Sequence, residues 1–192
     1  MSPGRLEAFS DGVIAVIITI MVLRLRPPDG GSLHDLRPLV PKLSVYLLSF
    51  VFVAIYWNNH HHLMHVVDRV SGAALWANAH LLFWLSLTPA AAAWLGPHVK
   101  DQAPVAIYGV ILLGSALAYS ILTFALVSSA GSNARIARAL GRDRKGKFSV
   151  VAYAMAIAVA PVVPWISLGI YIAVALVWLV PDRRMERVLA PG

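Results

Sequence analysis

Polar positions are scarce along most of this chain, and where they fall divides it. Apolar stretches occupy about 6–23, 43–63, 73–96, 103–130 and 148–180. A bilayer with a ~30 Å hydrocarbon core is crossed by ~20 helical residues, and the first four stretches are each near or above that length. The fifth is too long for one crossing and contains Pro161 and Pro164, which break or kink a helix. Dividing it near Val162–Pro164 predicts six spans, at about 6–23, 43–63, 73–96, 103–130, 148–163 and 164–181. The connections read as loops. "RPPDGGSLHDLRPLVPK" (26–42) is rich in Pro and Gly, with room for a short turn of helix, and "GPHVKDQAP" (96–104) is a tight turn. Residues 1–192 are expected to form one membrane domain.

Composition supports that reading. The chain is 59% hydrophobic and only 13% charged, against about a quarter charged in a soluble domain, and its mean hydropathy is +0.72. The predicted class is an all-α polytopic membrane protein. There is no cysteine, which removes disulfides, thiolate metal sites and thiol nucleophiles. The apolar run after Asp11 lacks a small-residue cleavage site and is followed by Arg24 and Arg26, so it reads as a retained span rather than a signal peptide.

The formal charge of +7 raises the question of a nucleic-acid partner, and its distribution answers it. With the N-terminus in the cytoplasm, Arg5, Arg69, the basic run from Arg135 to Lys147 and the tail residues Arg183, Arg184 and Arg187 all lie inside. That is 11 of 16 basic residues, leaving Arg24, Arg26, Arg37, Lys42 and Lys100 outside. Such a bias is the positive-inside pattern of a membrane protein. It requires an even number of spans, with both termini cytoplasmic. The 135–147 segment is then a topology anchor near anionic lipid rather than a nucleic-acid patch.

The first span has two faces. At about 100° per residue, Gly12, Val16, Thr19, Ile20 and Leu23 fall on one narrow stripe, and Asp11 lies about 140° from Val16. A carboxylate within a membrane costs ~2.5–3.5 kcal/mol at the centre and less near the end. Asp11 therefore wants partners, and Asn59, His60, His61, Asn78 and His80 are the candidates on other spans. In the first turns of its helix a carboxylate also suits the helix dipole. Ser10 is expected to cap the helix or bridge to the same cluster, so that Ser10 and Asp11 form a polar rivet between helices. The stripe has two readings. Repeated around an axis in a homo-oligomer, Val16, Ile20 and Leu23 form apolar rings that gate by dewetting, and Thr19 forms a hydroxyl ring that partly replaces an ion's hydration. Alternatively, Thr19 bonds back within its own helix and the stripe simply packs.

Further along, "NNHHHLMH" (58–65) invites a metal reading, since His61 and His65 are i, i+4 and share a helix face. Membrane metal enzymes need several such clusters, however, and here there is one plus an isolated His80. No metal site and no enzyme are expected. The histidines are read as partners for Asp11, for lipid phosphate or for protons near neutral pH. Trp57, Trp76, Trp94 and Trp178 fall near span ends and read as interfacial anchors.

Several residues carry a resemblance. Arg5, Phe9, Ser10 and Asp11 fit R-x-x-x-F-S-D at the start of a first span. "YWNNHHHL" (56–63) is similar to a W-x-N-H-H signature at the end of a second, through Trp57, Asn59 and His60. "LWANAHLLFWLSLTP" (75–89) resembles a third helix with an early Asn, Asn78, and a late Pro. Together they resemble the transmembrane protein 175 family of potassium channels in its single-repeat prokaryotic form. The resemblance implies a homotetramer of six-helix subunits in the cell membrane, permeable to K⁺ and other monovalent cations, with no cofactor beyond the permeant ion. It implies a pore lined by the first helices, a hydrophobic constriction at Val16 with further rings at Ile20 and Leu23, and a hydroxyl layer at Thr19. The constriction position is often Ile or Leu in that family, and Val16 is smaller. No T-V-G-Y-G filter occurs in the chain. A proton-coupled or proton-conducting transporter using Asp11 and the histidines is the alternative.

Overall fold

The computed structural model of the chain describes residues 2–65, 67–129 and 144–179. Every regular element among them is helical. They are α1 (Pro3–Leu23), α2 (Val40–His65), α3 (Gly72–Ser86), α4 (Thr88–Leu95), α5 (Gln102–Ser129), α6 (Arg144–Val159) and α7 (Pro164–Leu179), with 3-10 turns at Leu33–Leu39 and Gly96–His98. Among the described residues, four continuous helical paths are long and apolar enough to cross a membrane, Pro3–Leu23, Leu33–His65, Gly72–His98 and Gln102–Ser128, and α7 is a shorter apolar helix. Arg135, Arg138 and Arg142 of the basic run, and the tail arginines 183, 184 and 187, lie outside the described residues.

Proline placement explains where helices start and turn. Pro3 opens α1, where a missing N–H costs nothing because first-turn amides have no intrahelical acceptor. The third span, expected as one helix, has a corner at Leu87. Pro89 cannot donate to the Leu85 carbonyl and its ring crowds that oxygen. The chain compensates locally, with Leu87 N–H donating to the Trp84 carbonyl at 3.2 Å and Ala91 N–H to that of Leu87 at 3.1 Å. Between α6 and α7 the turn falls at Pro161 and Pro164. The amides of Val162 and Val163 both donate to the Val159 carbonyl at 2.9 Å before α7 begins.

Two cores hold the bundle. One is built by α1, α2, α3 and α5, through residues such as Ile14, Ile17, Val53, Leu81 and Leu122. The other joins α2, α4, α5, α6 and α7 around Phe52, Tyr108, Tyr153 and Tyr171. Because lipid is as apolar as the side chains, helix association in a membrane depends on close packing and interhelical hydrogen bonds rather than on exclusion of water. Both are present. Gly109 and Gly114 of α5 let the Tyr171 and Trp84 rings lie directly on the backbone. Ser167 donates to the Ala156 carbonyl at 2.7 Å, Tyr171 to the Val105 carbonyl at 3.1 Å, and Tyr108 shares a 2.8 Å bond with Ser49. α1 packs on one side of this scaffold, against α2, α3 and α4.

Candidate functional site

α1 divides cleanly by face. Leu6, Ser10, Ile14, Ile17 and Met21 recur every three or four residues and are buried against the neighbouring helices. The opposite face carries Phe9, Gly12, Val16, Thr19, Ile20 and Leu23, all exposed in the isolated subunit. Val16 is 56% exposed, Ile20 40% and Leu23 75%. The Thr19 hydroxyl donates to the Ala15 carbonyl at 2.8 Å. That bond spends its only proton, and the oxygen keeps the capacity to accept. An open groove runs along this face between α1 and the α3–α4 corner, lined by Phe9, Gly12, Val16, Ile20, Pro89 and Ala90 among others. Arg24, beside Leu23, is exposed and borders the same groove.

Beneath the stripe, polar residues tie the first turns of α1 to its neighbours. Ser10, fully buried, donates to the Leu6 carbonyl at 2.8 Å and accepts from the Asn78 amide at 2.9 Å. With the amide nitrogen so engaged, Asn78 offers its oxygen to His60 Nε2 at 2.8 Å. His60 is therefore the donor, a tautomer assigned from the bonding pattern. Its Nδ1 is buried and has no hydrogen-bond partner among the described residues. Ser10, Asn78 and His60 thus join α1, α3 and α2 through one line of hydrogen bonds.

Asp11 and the other histidines are arranged differently from expectation. The partner of Asp11 is none of Asn59, His60, His61, Asn78 or His80. The Trp57 indole N–H donates to Asp11 Oδ1 at 3.0 Å, so Trp57 is tied to α1 rather than acting only as an interfacial anchor. His61 Nδ1 lies 2.7 Å from Glu7 Oε1, and His65 Nε2 lies 3.8 Å from the same oxygen. Glu7 was not among the sequence candidates. The antiparallel packing of α1 and α2 makes a two-rung ladder, since Glu7 and Asp11 are one turn apart on α1 and His61 and Trp57 one turn apart on α2. The indole and imidazole stack within α2, with ring centroids 6.2 Å apart. Asn59 bonds back to the Ile55 carbonyl at 2.8 Å, and its own carbonyl accepts from Tyr119 at 3.2 Å. His80 accepts from the Trp84 indole at 2.9 Å, and Arg5 is exposed on the first turn of α1.

The chain as a whole is similar to known proteins. Over 189 residues the chain is 49% identical to a protein of Chryseobacterium sp. (strain P1-3) named as a potassium channel, with 98% of both chains covered. The family model described as endosomal/lysosomal potassium channel TMEM175 matches residues 5–89. The chain belongs to the TMEM175 family. The family match spans the whole polar assembly from Arg5 and Ser10 to Asn78, together with the α1 stripe. The fold agrees over the full length. The crystal structure of a protein from Chamaesiphon minutus, a homologue of the lysosomal potassium-selective channel TMEM175, superposes with a TM-score of 0.80 at 26% identity, covering 98% of each chain. A TMEM175 protein of Danio rerio, named as an endosomal/lysosomal proton channel, is 28% identical over 93 residues, which is 46% of this chain and 18% of that one.

Proposed function

We propose that the protein is a potassium-permeable cation channel of the cell membrane, a homotetramer of six-span subunits with α1 lining a central pore. The observation that carries this reading is the exposed face of α1. A helix whose other face is packed into its own subunit presents Val16, Thr19, Ile20 and Leu23 outward, beside an open apolar groove. Around a fourfold axis these side chains become stacked rings. Aliphatic rings exclude water until the bottleneck widens, and a hydroxyl ring at Thr19 supplies oxygen ligands to a partly dehydrated ion. The chain has no T-V-G-Y-G filter, so selectivity for K⁺ over Na⁺ rests on ring diameter and dehydration. Full-length similarity to a bacterial protein named as a potassium channel and to a channel crystal structure supports the assignment.

Topology is consistent with it. Six spans leave both termini in the cytoplasm, with most basic residues on that side. Arg24 caps the C-terminal end of α1 at the mouth of the groove, and Arg26 follows it beyond the end of the helix. Asp29 follows Arg26 by three residues in the loop and offsets part of this charge. In liposomes carrying the purified protein, a K⁺ gradient alone should drive flux. Flux that requires a coupling ion and saturates would reject the channel.

A second reading, proton conduction or proton-coupled transport through Asp11 and the histidines, is favoured by the proton-channel name of the animal relatives. The partners of these groups weigh against it. Asp11 is engaged by Trp57, His61 by Glu7 and His60 by Asn78, a set of bonds suited to fixing helices rather than passing protons along one path.

A further inference from the structure

The Glu7–His61–His65 cluster is explained neither by the pore stripe nor by the Ser10 network. It stands where α1 begins and α2 ends. One ligand atom from each residue lies within 4.8 Å of the others. His61 and His65 are i, i+4 on α2, with ring centroids 4.4 Å apart, and Glu7 reaches them from α1. The Glu7 side chain is 17% exposed, against 41% for His61 and 52% for His65, so the acid is largely sheltered while the imidazoles open to solvent. That combination gives an entry route and a fixed anionic wall.

We infer that Glu7, His61 and His65 form a site for a divalent transition-metal ion of the zinc class, which bridges the start of α1 to the end of α2. The chemistry of the donors selects the ion. Two imidazole nitrogens and one carboxylate suit Zn²⁺ and its neighbours, whereas Mg²⁺ and Ca²⁺ prefer all-oxygen shells. The spacing fits as well. Ligands ~2.1 Å from a tetrahedral ion stand about 3.4 Å from one another. The present separations from Glu7 Oε1, 2.7 Å to His61 and 3.8 Å to His65, bracket that value. Small side-chain rotations therefore suffice, one opening and one closing. Water or the second Glu7 oxygen completes the fourth position. The ion replaces the Glu7–His61 hydrogen bond by three ligand bonds, one from α1 and two from α2, and so reinforces the rung that stands beside the Asp11–Trp57 bond.

The test is zinc binding by the full chain, freed of any histidine tag, stripped with chelator and titrated calorimetrically in detergent with Mg²⁺ present in excess. One Zn²⁺ per subunit is expected, together with a rise in the apparent melting temperature. His65→Ala and Glu7→Gln should each weaken binding by at least about tenfold, because losing a direct ligand costs no less than losing an outer-shell partner. His34→Ala, in the 26–42 loop, should leave binding unchanged. Binding that is absent below millimolar zinc, or that is the same in His65→Ala as in the parent, overturns the site. His65 is half-exposed and its removal leaves the Glu7–His61 bond in place, so that variant decides even if Glu7→Gln folds poorly. The measurement reads binding alone and stands or falls independently of whether the protein conducts K⁺.

Discussion

Asn78 holds Ser10 and His60 at once, donating to the Ser10 hydroxyl at 2.9 Å and accepting from His60 Nε2 at 2.8 Å. All three side chains are essentially fully buried. The consequences of cutting this line are unequal. Asn78→Ala orphans the His60 N–H, and an unsatisfied buried donor costs about 1–3 kcal/mol. Ser10→Ala also orphans one buried donor, the Asn78 amide, but it breaks one interhelical bond rather than two and removes only a hydroxyl oxygen, leaving the Asn78–His60 bond intact. Thermal unfolding of the purified assembly should therefore rank Asn78→Ala as the more damaging, with Ser10→Ala nearer 1 kcal/mol. Equal losses would mean that the three do not act as one line.

Asp11→Asn should be mild. The Asn side-chain oxygen still accepts from the Trp57 indole, so the link between α1 and α2 persists in neutral form. K⁺ flux in liposomes should stay within about fivefold of the parent, the factor that the ~1 kcal/mol of a whole half-exposed polar contact would represent. Trp57→Phe, which deletes the donor but keeps an aromatic ring, should destabilise more than Asp11→Asn does. Complete loss of flux in Asp11→Asn with assembly intact would shift the balance to the proton-coupled reading.

What the sequence made legible follows from the range of each signal. An all-helical membrane class needs only run length and composition, and α1, α2 and α5 are long uninterrupted apolar runs. The corner at Leu87 was less legible, because a proline late in an apolar run reads equally as a kink or a helix end. The role of Ser10 and Asn78 could be anticipated, since buried polar groups in a membrane must find one another. Which histidine meets which partner could not. His60 and His61 are adjacent and about 100° apart on the helix, so the packing register alone sends one to Asn78 and the other to Glu7. Glu7 itself is 54 residues from His61, and nothing local marks the pair. The α1 stripe was legible as a shared face, whereas its exposure depends on how α2, α3 and α4 cover the other side.

Gly109→Ala sets two effects against each other. Alanine gains up to ~1 kcal/mol in helix propensity over glycine. At this position, however, an added Cβ would meet the Tyr171 hydroxyl and ring and the Ile157 side chain well inside van der Waals contact. Tyr171 cannot give way easily, since it is fully buried and its hydroxyl is bonded to the Val105 carbonyl at 3.1 Å. Overpacking of this kind costs about 1–3 kcal/mol, so the net effect should be destabilising. Gly12→Ala on α1 meets no atom within 4 Å in the subunit and serves as the contrast. Its subunit stability should hold or rise, measured by unfolding in detergent.

The pore reading makes its sharpest prediction at Thr19, because there a change of chemistry can be separated from a change of shape. Thr19→Val keeps the branched volume and removes the oxygen that would face an ion. A single hydrogen-bond-like contact is worth about 0.5–1.5 kcal/mol net, and the substitution removes one oxygen from each of four subunits, so the loss in K⁺ conductance or in K⁺ over Na⁺ selectivity should be at least about two- to tenfold. Ile20→Ala acts through shape instead. It widens an apolar ring, so conductance should rise while selectivity falls. Val16→Ile should do the reverse if the Val16 ring is the narrowest. Phe124→Ala, on an exposed position of α5 away from α1, should leave permeation unchanged. Single-channel recordings of the four variants in planar bilayers decide the matter. If Thr19→Val, Ile20→Ala and Val16→Ile all conduct and select like the parent, the outward face of α1 meets lipid or a neighbouring helix, and the path for ions lies elsewhere.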